Sequence, residues 1–262
     1  MSHESESNLD PTQTIVSKVA EAAISTVVNS VGKIDVKLDS ELPQMLQGKV
    51  DSLEIVGEKI VAVQDICLEK IDISCEDVSV NLFQALLGQV AFEKTGEFQV
   101  KLVFTESDCD RLLNSKYVKT LLQNLRLDLD PQPSSFYLQQ SKCQLAEDNL
   151  SLQGTIVLQR QQLKTALFEI SFYFEDDGSE IGFLGGKYST ESALSLTETV
   201  AIMNKVRDLL YLRQFENEDL AFKIIKIAIA NKQLILQADT KIKRLPDSIS
   251  QSIESVSSKI NN

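Results

Sequence analysis

The sequence predicts an α+β fold, a β-rich container with an apolar interior, on three observations. Many segments alternate apolar and polar residues with the two-residue period of a half-buried strand. Strands lead straight into capped helices. Residue types that carry catalysis are scarce in the junctions between them.

The stretch from Glu97 to Leu113 shows all three, reading EFQVKLVF and then TESDCDRLL. Phe98, Val100, Leu102 and Phe104 alternate with Gln99, Lys101 and Val103, as in a strand with one buried face. Thr105 is placed to cap a helix, with Asp108 three residues on in a variant of the capping box. Leu112 and Leu113 supply the apolar side of that helix.

The other elements follow in order. Asp10-Pro11 reads as a helix start, and apolar residues from Ile15 to Val31 recur at helical spacing before Gly32 ends the run. Strands are expected over 33–39, 49–56, 59–64, 66–75 and 78–82, then a helical turn at Phe83 to Leu87. The strand at 97–104 feeds a helix over 106–123. Leu125, Leu127 and Leu129 predict a short strand, and Pro131 and Pro133 a loop between two halves. Strands resume at 135–145, 149–159 and 163–175. Asp177-Gly178 marks a turn before a strand at 179–184. A helix over 197–214 precedes strands at 220–230 and 232–242, which turn at Asn231-Lys232. A faint repeat matches Phe104-Thr105-Glu106-Ser107 with Leu196-Thr197-Glu198-Thr199. It also matches Leu145, Leu150 and Leu152 with Ile229, Leu234 and Leu236, so each unit runs helix, then hairpin. Residues 1–9 are expected to be a solvated tail, 10–244 a single domain, and 245–262 a weakly amphipathic tail.

Composition narrows the function. The chain has 262 residues, of which 43% are hydrophobic, enough for a core. Its formal net charge of -12 argues against nucleic acid as a partner, because no basic face is available to replace phosphate counterions. The start MSHESESNLD lacks a basic stretch followed by an apolar one, and no apolar run is long enough to span a membrane. Cys67, Cys75, Cys109 and Cys143 form no CxxC pair and read as buried free thiols. The expected location is cytoplasmic, or peripheral to a membrane.

Catalytic constellations fail one by one. The single histidine, His3, lies in the tail, so a triad or a histidine-based metal site has no partner. Asp128 and Asp130 fit a solvated strand face. Glu175-Asp176-Asp177-Gly178 lacks the spacing of a calcium loop. Gly182, Gly185 and Gly186 do not match a phosphate-binding loop and read as a bend or bulge. No enzyme activity, cofactor or metal is expected. Phenylalanine is more informative: the chain has eleven, with no Trp. The Phe-bearing strand faces fit either a filled core or an apolar groove for acyl chains.

Two segments carry a family resemblance. MLQGKVDSLEIVGEKI (Met45 to Ile60) and KLVFTESDCDRLL (Lys101 to Leu113) resemble the bacterial, notably cyanobacterial, family of LmeA-like phospholipid-binding proteins. The matching residues are Gly48, Val50, Ile55 and Gly57, then Thr105, Glu106, Asp108, Arg111 and Leu112. The resemblance covers residues 12 to 242. It implies a long curved antiparallel sheet wrapped around helices, the tubular architecture of the bactericidal/permeability-increasing type, enclosing a cavity for lipid tails. Mycobacterial members carry an export signal or anchor, and none is expected here.

The expected function is therefore non-catalytic binding, and possible transfer, of a phospholipid or other acyl lipid. The lining is expected from Phe98, Val100, Leu102, Phe104, Phe168, Ile170, Phe172 and Phe174, with transient membrane contact. The alternative is an acidic scaffold with a filled core that acts on protein partners.

Overall fold

The structure is a computed structural model that describes residues 28–45, 47–62, 66–79, 91–124, 126–127, 134–146, 149–159, 163–174, 181–188, 194–210 and 220–244. Strand dominates it. Ten strands occur among the described residues: β1 (Val28–Asp39), β2 (Lys49–Ala62), β3 (Cys67–Ser79), β4 (Ala91–Thr105), β5 (Ser135–Leu145), β6 (Asn149–Gln159), β7 (Leu163–Phe174), β8 (Ile181–Tyr188), β9 (Leu220–Ala230) and β10 (Gln233–Arg244). The helices are short: α1 (Leu42–Met45), α2 (Glu106–Asn114), α3 (Lys116–Asn124) and α4 (Leu196–Leu210).

The expectation of an α+β fold, with one long curved sheet wrapped around helices, is corrected here. The strands form two antiparallel sheets, one of six strands in the order β1-β2-β3-β4-β10-β9 and one of four in the order β5-β6-β7-β8. The physical reason lies at β4 and β5. The free edge of β4 is taken by β10, which pairs with it from Gln233↔Thr105 to Arg244↔Ala91. Strand β5 therefore has no place in the first sheet. Its own outer edge is occupied by a helix. Glu106, Asp110 and Asn114 of α2 accept the backbone N–H groups of Leu145, Cys143 and Ser141. Acceptors four residues apart on a helix rise about 6 Å, close to the roughly 6.6 Å between alternate N–H groups of a strand. The helix thus stands in for a neighbouring strand and satisfies an edge that is otherwise open to pairing.

Local chemistry sets the breaks. Thr105 caps α2 as expected: its Oγ1 accepts the Asp108 N–H and its own N–H donates to Asp108 Oδ2 at 2.9 Å. The helix expected over 106–123 is divided at Ser115, whose backbone is extended. The Ser115 hydroxyl accepts the Val118 N–H at 3.1 Å, so it opens α3 as it closes α2. The strands expected at 49–56 and 59–64 are one strand, and so are 66–75 with the start of 78–82. Lys59 and Asp77 adopt positive φ there and interrupt the alternation without ending the ladder. The segment from Val28 to Gly32 is strand, not the end of a helix. The rest of the expected N-terminal helix, the turn at Phe83 to Leu87, Asp177-Gly178 and both tails lie outside the described residues. Of the short strand expected through Leu125, Leu127 and Leu129, the described residues show Leu127 in a single antiparallel bridge to Ser134, while Leu125 and Leu129 lie outside them. Helix α4 begins one residue earlier than expected, capped by Ser195.

The densest core sits on the four-stranded sheet. Phe136, Leu158 and Leu127 are 0% exposed and pack with Leu138, Ile156, Leu121, Leu122 and Ile202. Helix α3 and helix α4 thereby cover one face of this sheet. Burial of such side chains stabilises the fold by roughly 1.5–3 kcal/mol each. Lys164 meets the buried Glu198 at 2.9 Å and ties α4 to β7. Burial alone would raise the Glu198 carboxyl. The Ser195 N–H and hydroxyl and the Lys164 ammonium outweigh burial and hold it below its ordinary value.

Candidate functional site

The six-stranded sheet has two chemically opposite faces. Residues directly opposite in an antiparallel ladder share a face, so the register defines rows across the sheet. One row runs Leu38, Leu53, Cys75, Phe98 and Thr240. The next runs Val36, Ile55, Ile73, Val100, Ala238 and Ile224. A third runs Ile34, Gly57, Ile71, Leu102, Leu236 and Ile227. A shorter row joins Phe104, Leu234 and Ile229. The reverse face carries charge, with rows such as Lys37, Glu54, Ser74, Gln99 and Asp239. Ion pairs Lys37–Glu54 at 2.9 Å and Lys241–Glu97 at 2.6 Å lie on it.

The apolar face is closed at two ends and half-open between them. At one end Val50, Cys75, Val78 and Phe98 are buried together, with Ile73 and Val100 packed against them. At the other, Phe104, Cys109, Cys143 and Leu145 form the joint between the two sheets, flanked by Leu102, Leu112, Leu113, Leu150, Leu152, Ile229 and Leu234. Between the ends Ile34, Val36, Ile55, Ile71, Ile73, Val100 and Leu102 are only half-buried. The band spans about 20 Å along β4 and about 19 Å from β1 to β10, from strand geometry. Two of its thiols are shifted towards the neutral form. Burial pushes the Cys75 thiol up to about 11, with a backbone hydrogen bond at Leu53 opposing. The Cys143 thiol is raised by its hydrogen bond with Cys109 and by burial.

The expected lining residues separate into two groups. Phe98, Val100, Leu102 and Phe104 stand in line on the apolar face of β4, one in each row. Phe168, Ile170, Phe172 and Phe174 lie on β7 of the other sheet. Phe168 packs against the dense core. Ile170 and Phe172 pair with Leu152 and Leu150, two residues of the joint, so the second group reaches the first through it. Phe172 is buried and Phe174 half-buried. The glycine cluster lies on β8, where the ladder shifts register opposite Ser171 and Phe172, as a bulge requires.

Sequence reasoning missed the β1 and β2 contributions, Ile34, Val36 and Ile55, although their alternation with Lys33, Asp35, Lys37 and Glu54 is plain. It also missed Asp110 and Asn114, whose four-residue spacing from Glu106 was the available signal.

With this geometry in view, the family comparison is decisive: the model of the LmeA-like phospholipid-binding family matches residues 9–239. The chain belongs to that family. No curated protein and no solved structure matches it significantly. In this LmeA-like chain the resemblance residues have structural duties. Thr105 and Asp108 form the cap, Glu106 holds β5, and Leu112 packs in the joint. Arg111 Nη1 lies 3.3 Å from Cys67 Sγ. Gly57 meets Ile60 and Ile71 side chains so closely that an added Cβ would sit 3.0–3.1 Å from them. As a member of a lipid-binding family, the chain is a lipid-binding protein in the general sense.

Proposed function

We propose that this protein binds a phospholipid with its acyl chains laid on the half-open apolar band of the six-stranded sheet, and carries it between membranes. The observation that supports this most is a contrast in burial. Core residues of the four-stranded sheet reach 0% exposure, whereas the aliphatic side chains of Ile34, Val36, Ile55, Ile71, Val100 and Leu102 on the six-stranded face stay half-buried, with Ala238 and Ile227 buried at the β9–β10 side. A filled core would cover such rows, and an acyl chain is the ligand whose chemistry matches them.

Phe98, Val100, Leu102 and Phe104 are the proposed lining, continued past the joint by Phe168, Ile170, Phe172 and Phe174. At about 0.8 kcal/mol per buried methylene, about ten methylenes supply the roughly 8 kcal/mol of a micromolar affinity. The four buried free thiols support a reducing compartment, and we place the protein in the cytoplasm with transient membrane contact. The test is native mass spectrometry of the purified chain, followed by organic extraction. A mass excess that extracts as phospholipid supports the reading. A chain that remains free of lipid after incubation with mixed phospholipid vesicles overturns it and favours a filled scaffold.

A further inference from the structure

We propose that the β9–β10 edge of the six-stranded sheet docks on the surface of an anionic phospholipid membrane. This rests on the lipid-binding reading and adds the place where the protein meets the bilayer. The chain has a formal net charge of -12, yet this hairpin is basic. Lys223 and Lys226 of β9, Lys232 of the turn, and Lys241 and Lys243 of β10 are all exposed. The hairpin holds one carboxylate, Asp239, directly opposite Lys223, and Glu97 of β4 pairs with Lys241 at 2.6 Å. Strand β3, separated from β10 by β4, carries Glu69, Asp72, Glu76 and Asp77 against Lys70 alone. Charge is thus divided across the sheet, with base gathered at the β9 edge.

An apolar side chain stands among these lysines. The β9–β10 ladder shifts register between Gln237 and Ala238, and Ile225 is the extra residue there, 42% exposed and flanked in sequence by Lys223 and Lys226. Lysines on an edge strand keep it from pairing with other chains, a duty that an exposed isoleucine opposes. A membrane interface suits both residue types: ammonium groups meet anionic headgroups while an aliphatic side chain enters the layer beneath them. An acidic protein surface would match the lysines alone. Strand β9 is also where the apolar rows end, at Ile224, Ile227 and Ile229. Docking here brings the border of the proposed acyl-chain band against the bilayer.

The experiment is co-sedimentation of the full chain with vesicles of phosphatidylcholine alone and of phosphatidylcholine with phosphatidylglycerol, at low and high salt. The wild type is expected to bind the anionic vesicles about a hundredfold more tightly at low salt and to lose most of that preference at high salt. Lys223→Gln with Lys226→Gln is expected to weaken anionic-vesicle binding about twentyfold, since one lysine near such a surface is worth roughly fivefold. Lys33→Gln with Lys49→Gln, the same charge change at exposed positions of β1 and β2, is expected to have little effect. Ile225→Ser is expected to weaken binding about fivefold at either salt. Unchanged melting curves check the fold, and the single Lys223→Gln and Lys226→Gln variants, each with about half the logarithmic effect, serve if the pair is unstable. Equal binding of both vesicle types by wild type, or an equal fall in the β1–β2 control, overturns the docking surface. So does binding of poly-glutamate without binding of vesicles, which would assign the lysines to an acidic protein. Phospholipid extracted from the same purified chain keeps the two readings apart. Docking without extractable lipid overturns the carrier and supports the surface, and extractable lipid without docking does the reverse.

Discussion

The carboxylate of Glu106 accepts the backbone N–H of Leu145 at 2.8 Å. It is the first of three side chains of α2 that replace a neighbouring strand along β5. The third, Asn114, both donates to the Ser141 carbonyl at 2.7 Å and accepts the Ser141 N–H at 3.2 Å. The helix is fixed to the edge by polar bonds and to the joint by Cys109 and Leu113. Its two sides therefore hold the two sheets together by different forces.

The middle residue tests this. Asp110→Ala leaves the Cys143 N–H without its acceptor, and the expected loss is about 1–3 kcal/mol in urea unfolding. Asp110→Asn keeps an acceptor oxygen and should recover most of it. Equal stability of Asp110→Ala and wild type would mean that the contact contributes nothing.

The two faces of β4 give a paired test of the lipid site. Val100→Asp puts a charge among aliphatic neighbours and is expected to remove bound phospholipid. Gln99→Asp, one residue away on the charged face, is expected to leave lipid content intact. Val100 is half-buried and tolerates a charge better than the fully buried Phe172, so loss of lipid can be read in a folded variant. Lipid retained by a folded Val100→Asp removes β4 from the site.

The Lys164–Glu198 pair predicts a pH dependence. The Glu198 carboxyl sits below its ordinary value in the folded chain, so its contribution is full above the unfolded value, about 4.3. It is lost as pH falls through the lower folded value. Lys164→Met leaves a buried carboxylate short of its partner and should cost about 1–3 kcal/mol at neutral pH, discounted because Lys164 is partly exposed. The deficit should shrink below about pH 4 as the carboxyl protonates. A deficit that is constant with pH would show that the ion pair is not its source.

The turn between β9 and β10 offers a stabilising change. Asn231 and Lys232 both take positive φ, 53° and 58°. That geometry favours Asn-Gly over Asn-Lys. Lys232→Gly should raise stability by up to about 1 kcal/mol, seen as a higher melting temperature. A lower melting temperature would mean that unfolded-state entropy outweighs the relieved strain.

Local features were legible and non-local ones were not. Thr105 and Asp108 declared their cap through spacing alone, and Phe98 to Phe104 declared one strand face. The partner of each strand was not readable, because alternation states that a face is buried and not what lies beside it. That is why β10 next to β4 was unforeseen, and with it the division into two sheets. The faint repeat was half right. Its helix heads are out of register, since Thr105 caps α2 whereas Ser195, not Thr197, caps α4. Its hairpins were better: Leu145 opposite Leu150 and Ile229 opposite Leu234 are matching pairs, and all four meet at the joint.

The pairing of β4 with β10 also has a consequence in time. Lys241 reaches Glu97 across 144 residues of chain. During synthesis β4 emerges early with its greasy side formed and one edge unfilled, and it waits for nearly the whole remaining chain before its partner arrives. Until then the nascent protein presents sticky, unpaired strand to the ribosome's surroundings, the condition in which chains aggregate or recruit chaperones. Truncations that stop before β10 should accordingly accumulate in the insoluble fraction, whatever lipid is supplied.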